Sequence, residues 1–243
     1  MPATWLARLA DRLSEKERAT GRRIVVCLEP EPGCLLQRAG DVVDFFEQYL
    51  DRVPGTKPSL LRRHLGVCHD TCHSAVMFEP QREAIEQYRE AGIAIAKVQL
   101  SSALRLPIAA TESDSTTASA GTAQLREFIE DRYLHQTVHR RASGDMSFFE
   151  DLPQALDAAS RSAAGEWRTH FHVPIYLESL EALQTTQSDI VEFLSVIEPG
   201  EVLQYEVETY AWNVLPTALQ RASLAEGIAD ELRWVRDRFG RFL

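Results

Sequence analysis

Residues 65–100 read LGVCHDTCHSAVMFEPQREAIEQYREAGIAIAKVQL, and this stretch decides the fold class. It opens on a short apolar run, Leu65–Thr71, and closes on another, Ile93–Leu100. Both have the length and β-branched content of a buried strand. Between them Ala84, Ile85 and Tyr88 share one face at helical spacing. Gly92 stands directly before the second strand, where a helix-ending glycine belongs. Strand, helix and strand in so short a span make a βα unit, whose strands lie parallel with a right-handed crossover.

The same rhythm continues outward. Ile24–Glu29 (IVVCLE), Thr169–Tyr176 (THFHVPIY) and Leu203–Tyr210 (LQYEVETY) are three further predicted strands, giving five parallel strands in all. Met1–Thr20 sets Trp5, Leu6, Leu9 and Leu13 against Arg8, Asp11, Arg12, Glu15 and Lys16, an amphipathic helix. Apolar stripes at Val42–Leu50, Ile190–Ile197 and Leu224–Phe239 predict three more helices, with Pro216 opening a turn before the last. The rhythm breaks between Ser101 and Gly165. There Thr111–Thr122 is polar and small, a predicted mobile loop. Tyr133–Val138 and Met146–Phe149 flank Ala142-Ser143-Gly144-Asp145 as a predicted hairpin. The expected organisation is one domain over residues 1–243 with an insertion at about 105–165.

The chain has 243 residues, 44% of them hydrophobic, enough for one sizeable core. It contains no apolar run of the roughly 18 residues that a membrane span needs. The N-terminal residues do not read as an export signal, so a cytoplasmic protein with reduced Cys27, Cys34, Cys68 and Cys72 is expected. A formal charge of −10 disfavours nucleic acid as a partner. Cys68 and Cys72 stand one residue too far apart for haem attachment, and no GxGxxG, P-loop, GxSxG or HExxH occurs.

Polar residues recur at the C-terminal ends of the apolar strands: Glu29, Asp70 with His73, Lys97 with Gln99, His170 with His172, and Glu206 with Glu208. In parallel barrels active sites assemble at that rim. A buried carboxylate there is costly without a cation or donors, so converging carboxylates and imidazoles point to a divalent metal. Carboxylate dominance favours Mn or Mg, with Zn and Co as further candidates. Glu29, Asp70 and Glu208 are expected to share one mouth. Each has a plainer reading: Glu29 as a cap, Asp70 and His73 as a turn closure, the histidines as hydrogen-bonded core residues. The choice between His170 and His172, and between Glu206 and Glu208, stays open. Glu31 reads as a loop carboxylate, and His135 and His139 as surface residues.

The string of strand-end motifs resembles the xylose-isomerase-like TIM-barrel superfamily. More narrowly, CLEPEPG, GVCHDTCHSAVMFE, AKVQLSSAL, YLHQTVHRR, HFHVPIY and YEVETYAWNVLP resemble metabolite-traffic proteins of the EboE type. The resemblance implies βα units of a TIM barrel, here a partial barrel of five parallel strands lacking the N-terminal units. Its open edges, Ile24–Glu29 and Leu203–Tyr210, would be covered by the first helix, another subunit or a partner. It implies Glu29, Asp70, His172 and Glu208 as metal ligands, Glu29 and Glu208 as catalytic acid and base, and His73, Lys97 and Gln99 as substrate-binding residues. Gln99 departs from the pattern, standing where epimerases commonly carry a ligand histidine. The implied function is a metal-dependent isomerase or epimerase acting on a sugar-like compound or secondary metabolite. The alternatives are a non-catalytic carrier that keeps the pocket and, more distantly, an endonuclease-IV-like phosphodiesterase.

Overall fold

The computed structural model describes residues 2–108, 115–158, 164–209, 212, 215 and 217–242. Its first half follows the βα pattern. After helix α1 (Pro2–Thr20), strand β1 (Val26–Leu28) leads to α2 (Ala39–Phe45), which runs into a wider π turn at Phe46–Leu50. Helix α3 (Pro58–His64) passes directly into β2 (Leu65–Asp70), and the short α4 (Thr71–Val76) and α5 (Gln81–Glu90) precede β3 (Ile95–Leu100). Gly92 ends α5 with φ +63°, a left-handed conformation that costs glycine little. A last strand, β10 (Gln204–Val207), completes a parallel sheet in the order β1-β2-β3-β10.

One face of this sheet is apolar. Val26, Leu28, Leu65, Val67, Val98 and Leu100 pack against Val42, Phe46, Ile85, Tyr88 and, from helix α8 (Gln187–Val196), Ile190 and Phe193. Burial of each large side chain contributes about 1.5–3 kcal/mol, so this layer is the main core. The final helix α9 (Leu224–Phe242) closes it, with Phe239 edge-on to Tyr205. No helix among the described residues is long and apolar enough to cross a membrane.

The second sheet departs from expectation. β3 continues through Ser101 alone into β4 (Ser102–Ile108), and β4 belongs to an antiparallel sheet. The sheet also holds β5 (Thr137–Arg141), β6 (Met146–Phe149), β7 (Gly165–Val173), β8 (Ser179–Leu180) and β9 (Leu183–Thr185), in the order β6-β5-β7-β4-β9-β8. The predicted fourth parallel strand is therefore β7, antiparallel to both β4 and β5. The apolar content of Thr169–Tyr176 identifies a buried strand and carries no information on direction. Direction is set by the connection, and the chain reaches β7 from the β5–β6 hairpin rather than through a helical crossover from β3. The parallel sheet has four strands, with β1 and β10 at its ends.

The β5–β6 hairpin forms around Gly144, at φ +93°, as its turn residues predict. Where a loop was expected over Thr111–Thr122, residues from Ser115 on form α6 (Ser115–Leu125); 111–114 lie outside the described residues, as do Tyr210 and Pro216. With α7 (Leu152–Ala158) beside it, the antiparallel sheet builds its own core from Leu104, Leu106, Phe128, Leu152, Trp167 and Phe171.

Glu231 ties α9 to both sheets. It is fully buried, and its Oε1 accepts from Thr209 Oγ1 at 2.6 Å and from Ile175 N–H at 3.2 Å. Burial pushes its carboxyl up to about 7, against the pull of those two donors. A folded pKa above the ordinary value means that the stabilising contribution is complete below about pH 4.5 and is lost as pH rises through about 7. Glu231→Gln keeps the acceptor and removes the ionisation. In urea denaturation the variant should match the wild type near pH 4.5 and exceed it above pH 7 by up to about 3 kcal/mol, at about 1.4 kcal/mol per unit.

Candidate metal centre

The polar face of the parallel sheet carries the site. Glu29 follows β1, Asp70 ends β2, Gln99 lies on β3 and Glu208 follows β10. One oxygen each of Glu29, Asp70 and Glu208 lies within 4.8 Å of the others. The two long glutamates, from the sheet's end strands, lean inward over the shorter aspartate. They open onto a cavity of about 460 Å³ that His73, Gln99, His170 and His172 also line.

Asp70 is the most constrained member. It is 2% exposed, and its Oδ1 accepts from Cys72 N–H at 2.7 Å, His73 N–H at 2.9 Å and Ser101 Oγ at 2.6 Å. Asp70 thus caps α4, in line with the plain reading of HDTCH. Burial raises its pKa, but His73, His172 and the donors outweigh burial and hold it below the usual carboxylate range. Its Oδ2 has no donor unless Glu208 is protonated. Burial, with the charges of Asp70 and Glu29, pushes Glu208 up to about 7.

The histidines complete the centre from two directions. His73 Nδ1 donates to the Pro30 carbonyl at 2.8 Å, leaving Nε2 3.9 Å from Asp70 Oδ2. His170 Nδ1 donates to Gln136 Oε1 at 2.7 Å, and His172 Nδ1 to the Glu208 carbonyl at 2.8 Å. Such anchoring of one ring nitrogen fixes the tautomer and aims the other, as in metal-ligating histidines. His170 and His172 then bring two Nε2 lone pairs to 3.2 Å from each other. Burial depresses both pKa values, His172 to about 4, so a proton between them is disfavoured. A cation resolves the conflict. Two nitrogens bound tetrahedrally at about 2.0–2.1 Å stand about 3.3 Å apart, close to the separation here.

The donor set fits a divalent ion. Asp70, His73 and His172 form one group within 4.8 Å, and Glu31, His73 and His170 another. Cys72 Sγ lies in similar reach of His170 and His172, but burial pushes its thiol far up and keeps it protonated.

Other sequence-selected residues fall elsewhere. Lys97 pairs with Glu206 at 2.6 Å on the same sheet face and does not line the cavity. Gln99 donates Nε2 to Glu29 Oε1 at 3.1 Å and orients that carboxylate. His135 and His139, read as surface residues, are 1% and 3% exposed. His139 lies on β5 with its ring 5.9 Å from that of Trp167, and His135, just before β5, has its ring 4.7 Å from that of Phe171. The sequence reading missed Ser101, Gln136 and Tyr133. Gln136 stands in HQTVH, where histidines flank a glutamine just ahead of a strand, and that was the available signal.

No protein-family model matches the chain, and no curated protein or solved structure is significantly similar to it.

Among the described residues, Ser101 donates its hydroxyl to Asp70 from the second sheet's side of the junction. Ser101→Ala should lower stability by about 1.5–3 kcal/mol, the range for a hydrogen bond to a charged group. It should also weaken divalent-metal affinity by about 10–100-fold, the usual effect of losing a group that orients a ligand. Thermal denaturation with and without added metal reads both.

Proposed function

We propose that the chain is a divalent-metal enzyme of the isomerase or epimerase class, acting on a small hydroxy-carbonyl compound in a partial, xylose-isomerase-like barrel. The observation that carries this reading is the pair of imidazole Nε2 atoms 3.2 Å apart beside the converging carboxylates of Asp70 and Glu208. The resemblance of the strand-end motifs to EboE-type proteins supports it and suggests a secondary metabolite as substrate. Asp70, His172 and Glu208 would hold the ion, with His73, His170 and Glu29 in reach. The imidazole share favours Mn, Zn or Co and weighs against Mg.

When bound, the ion would polarise the substrate carbonyl and its neighbouring hydroxyl. The side chains would do the rest. Glu208, at the edge of the cavity beside the ion, would take or return a proton at the reacting carbon. Glu29 reaches the cavity from the other end of the sheet and would serve the opposite face of the reacting carbon. Gln99 would keep Glu29 aimed, and the Pro30 carbonyl would keep His73 aimed at the substrate's oxygens.

Purified protein should retain about one equivalent of a divalent transition metal, and Asp70→Asn and Glu208→Gln should each lose it while keeping a cooperative unfolding transition. In deuterated water the loaded wild type should exchange the hydrogen next to the carbonyl of a hydroxy-ketone such as dihydroxyacetone. Metal retention unchanged in both variants would overturn the site. Retention without exchange, accompanied by tight ligand binding, would favour the carrier reading instead.

A further inference from the structure

Part of the cavity wall is formed by the segment before β5, with Arg132, Tyr133, Leu134 and Gln136. Among the described residues Arg132 is the only lysine or arginine lining the cavity, which also holds Glu29, Glu31 and Glu208. Arg62, Arg63, Arg89, Arg105 and Arg168 are each held by a carboxylate. Arg132 makes no ion pair among the described residues, and its guanidinium lies over the ring of Tyr133 at 5.3 Å.

Its position is built. The Glu130 carboxylate accepts from the Arg132 and Tyr133 backbone N–H groups, both at 2.7 Å, and pins the turn that carries them. The same carboxylate sits 3.3 Å from Nε2 of buried His135, whose Nδ1 donates to the His170 carbonyl at 3.0 Å. An unbroken chain of contacts therefore runs from the strand holding His170 and His172 to the backbone of Arg132. Glu130 satisfies the backbone and leaves the guanidinium to the cavity. Such pre-organisation lowers the ordering cost of binding.

We propose that Arg132 is an anion clamp, and that the substrate carries a carboxylate or phosphate at the end away from its hydroxy-carbonyl group. A planar guanidinium matches either oxyanion in two-pronged geometry. The proposal rests on the metal reading only for the placement of the hydroxy-carbonyl end. Three cavity carboxylates repel an anion, so its binding strengthens when a divalent ion offsets them.

The test is calorimetric titration of metal-loaded and metal-free protein with three probes sharing one head group. Dihydroxyacetone is neutral, dihydroxyacetone phosphate adds a phosphate and 5-hydroxylevulinate adds a carboxylate. At least one anionic probe should bind the loaded protein about tenfold more tightly than the neutral one, a difference of about 1.4 kcal/mol. The stronger of the two identifies the anion. Arg132→Gln should erase the advantage with metal content unchanged, and Arg132→Lys should keep part of it. Equal binding of all three probes, or an advantage that survives in Arg132→Gln, overturns the clamp. If the wild type retains no metal, the functional reading falls on that measurement alone. The metal-free titration then decides the clamp: an anion advantage lost in Arg132→Gln sustains it, and no advantage overturns it.

Discussion

The charge of Asp70 is the constraint from which the arrangement around it follows. A carboxylate at 2% exposure costs several kcal/mol unless donors or cations compensate it. Three donors converge on Oδ1: two from the opening turn of α4 and one from Ser101. Ser101 is also the residue through which β3 becomes β4, so the compensation of this one charge sits at the junction of the two sheets. Thr71 reinforces the junction, donating Oγ1 to the Ser101 carbonyl at 2.8 Å and accepting from Ser101 N–H at 3.0 Å.

The antiparallel sheet serves the site through β7. Alternation puts Arg168, His170 and His172 on one face. The two histidines face the carboxylates, while Arg168 Nη1 donates to the Ala75 carbonyl at 2.8 Å near the far end of α4. Its guanidinium also covers the ring of Phe78 at 4.4 Å, with Arg140 on the same ring at 4.2 Å. Phe78 has φ +55°, a conformation that a bulky residue holds only when its surroundings enforce it. One strand thus supplies imidazoles at one end of α4 and restraint at the other.

How much of this could be read from the residues depends on the length scale involved. The βα unit over 65–100 was legible because Ala84, Ile85 and Tyr88 mark a helix and Gly92 its end, all local patterns. Helix α4 was not, since six residues are too few to show a period, and its capping aspartate reads equally well as a turn. The direction of β7 depends on a connection spanning the whole irregular stretch. In the site, strand-end position marked Asp70, Glu208 and Glu29, and alternation put His170 and His172 on one face. Alternation could not separate those two histidines, and the structure anchors each by its own Nδ1 with both rings lining the cavity. The inward role of His135 was illegible, since it depends on β7 lying beside it.

The donors of the centre come from distant parts of the chain, Asp70 and His73 on one side, His170, His172 and Glu208 on the other. An ion held between Asp70 and His172 would be a non-covalent cross-link closing a loop of about 100 residues. Because the site does not pre-exist in the unfolded chain, such an ion stabilises by mass action, by about 2.7 kcal/mol at a hundredfold excess over its dissociation constant. The two sheets have separate apolar cores, joined at a seam where the polar centre adjoins a small apolar cluster that includes Val76, Ala103 and Val138. An ion in that seam would add its binding free energy to the stability of the folded chain as a whole.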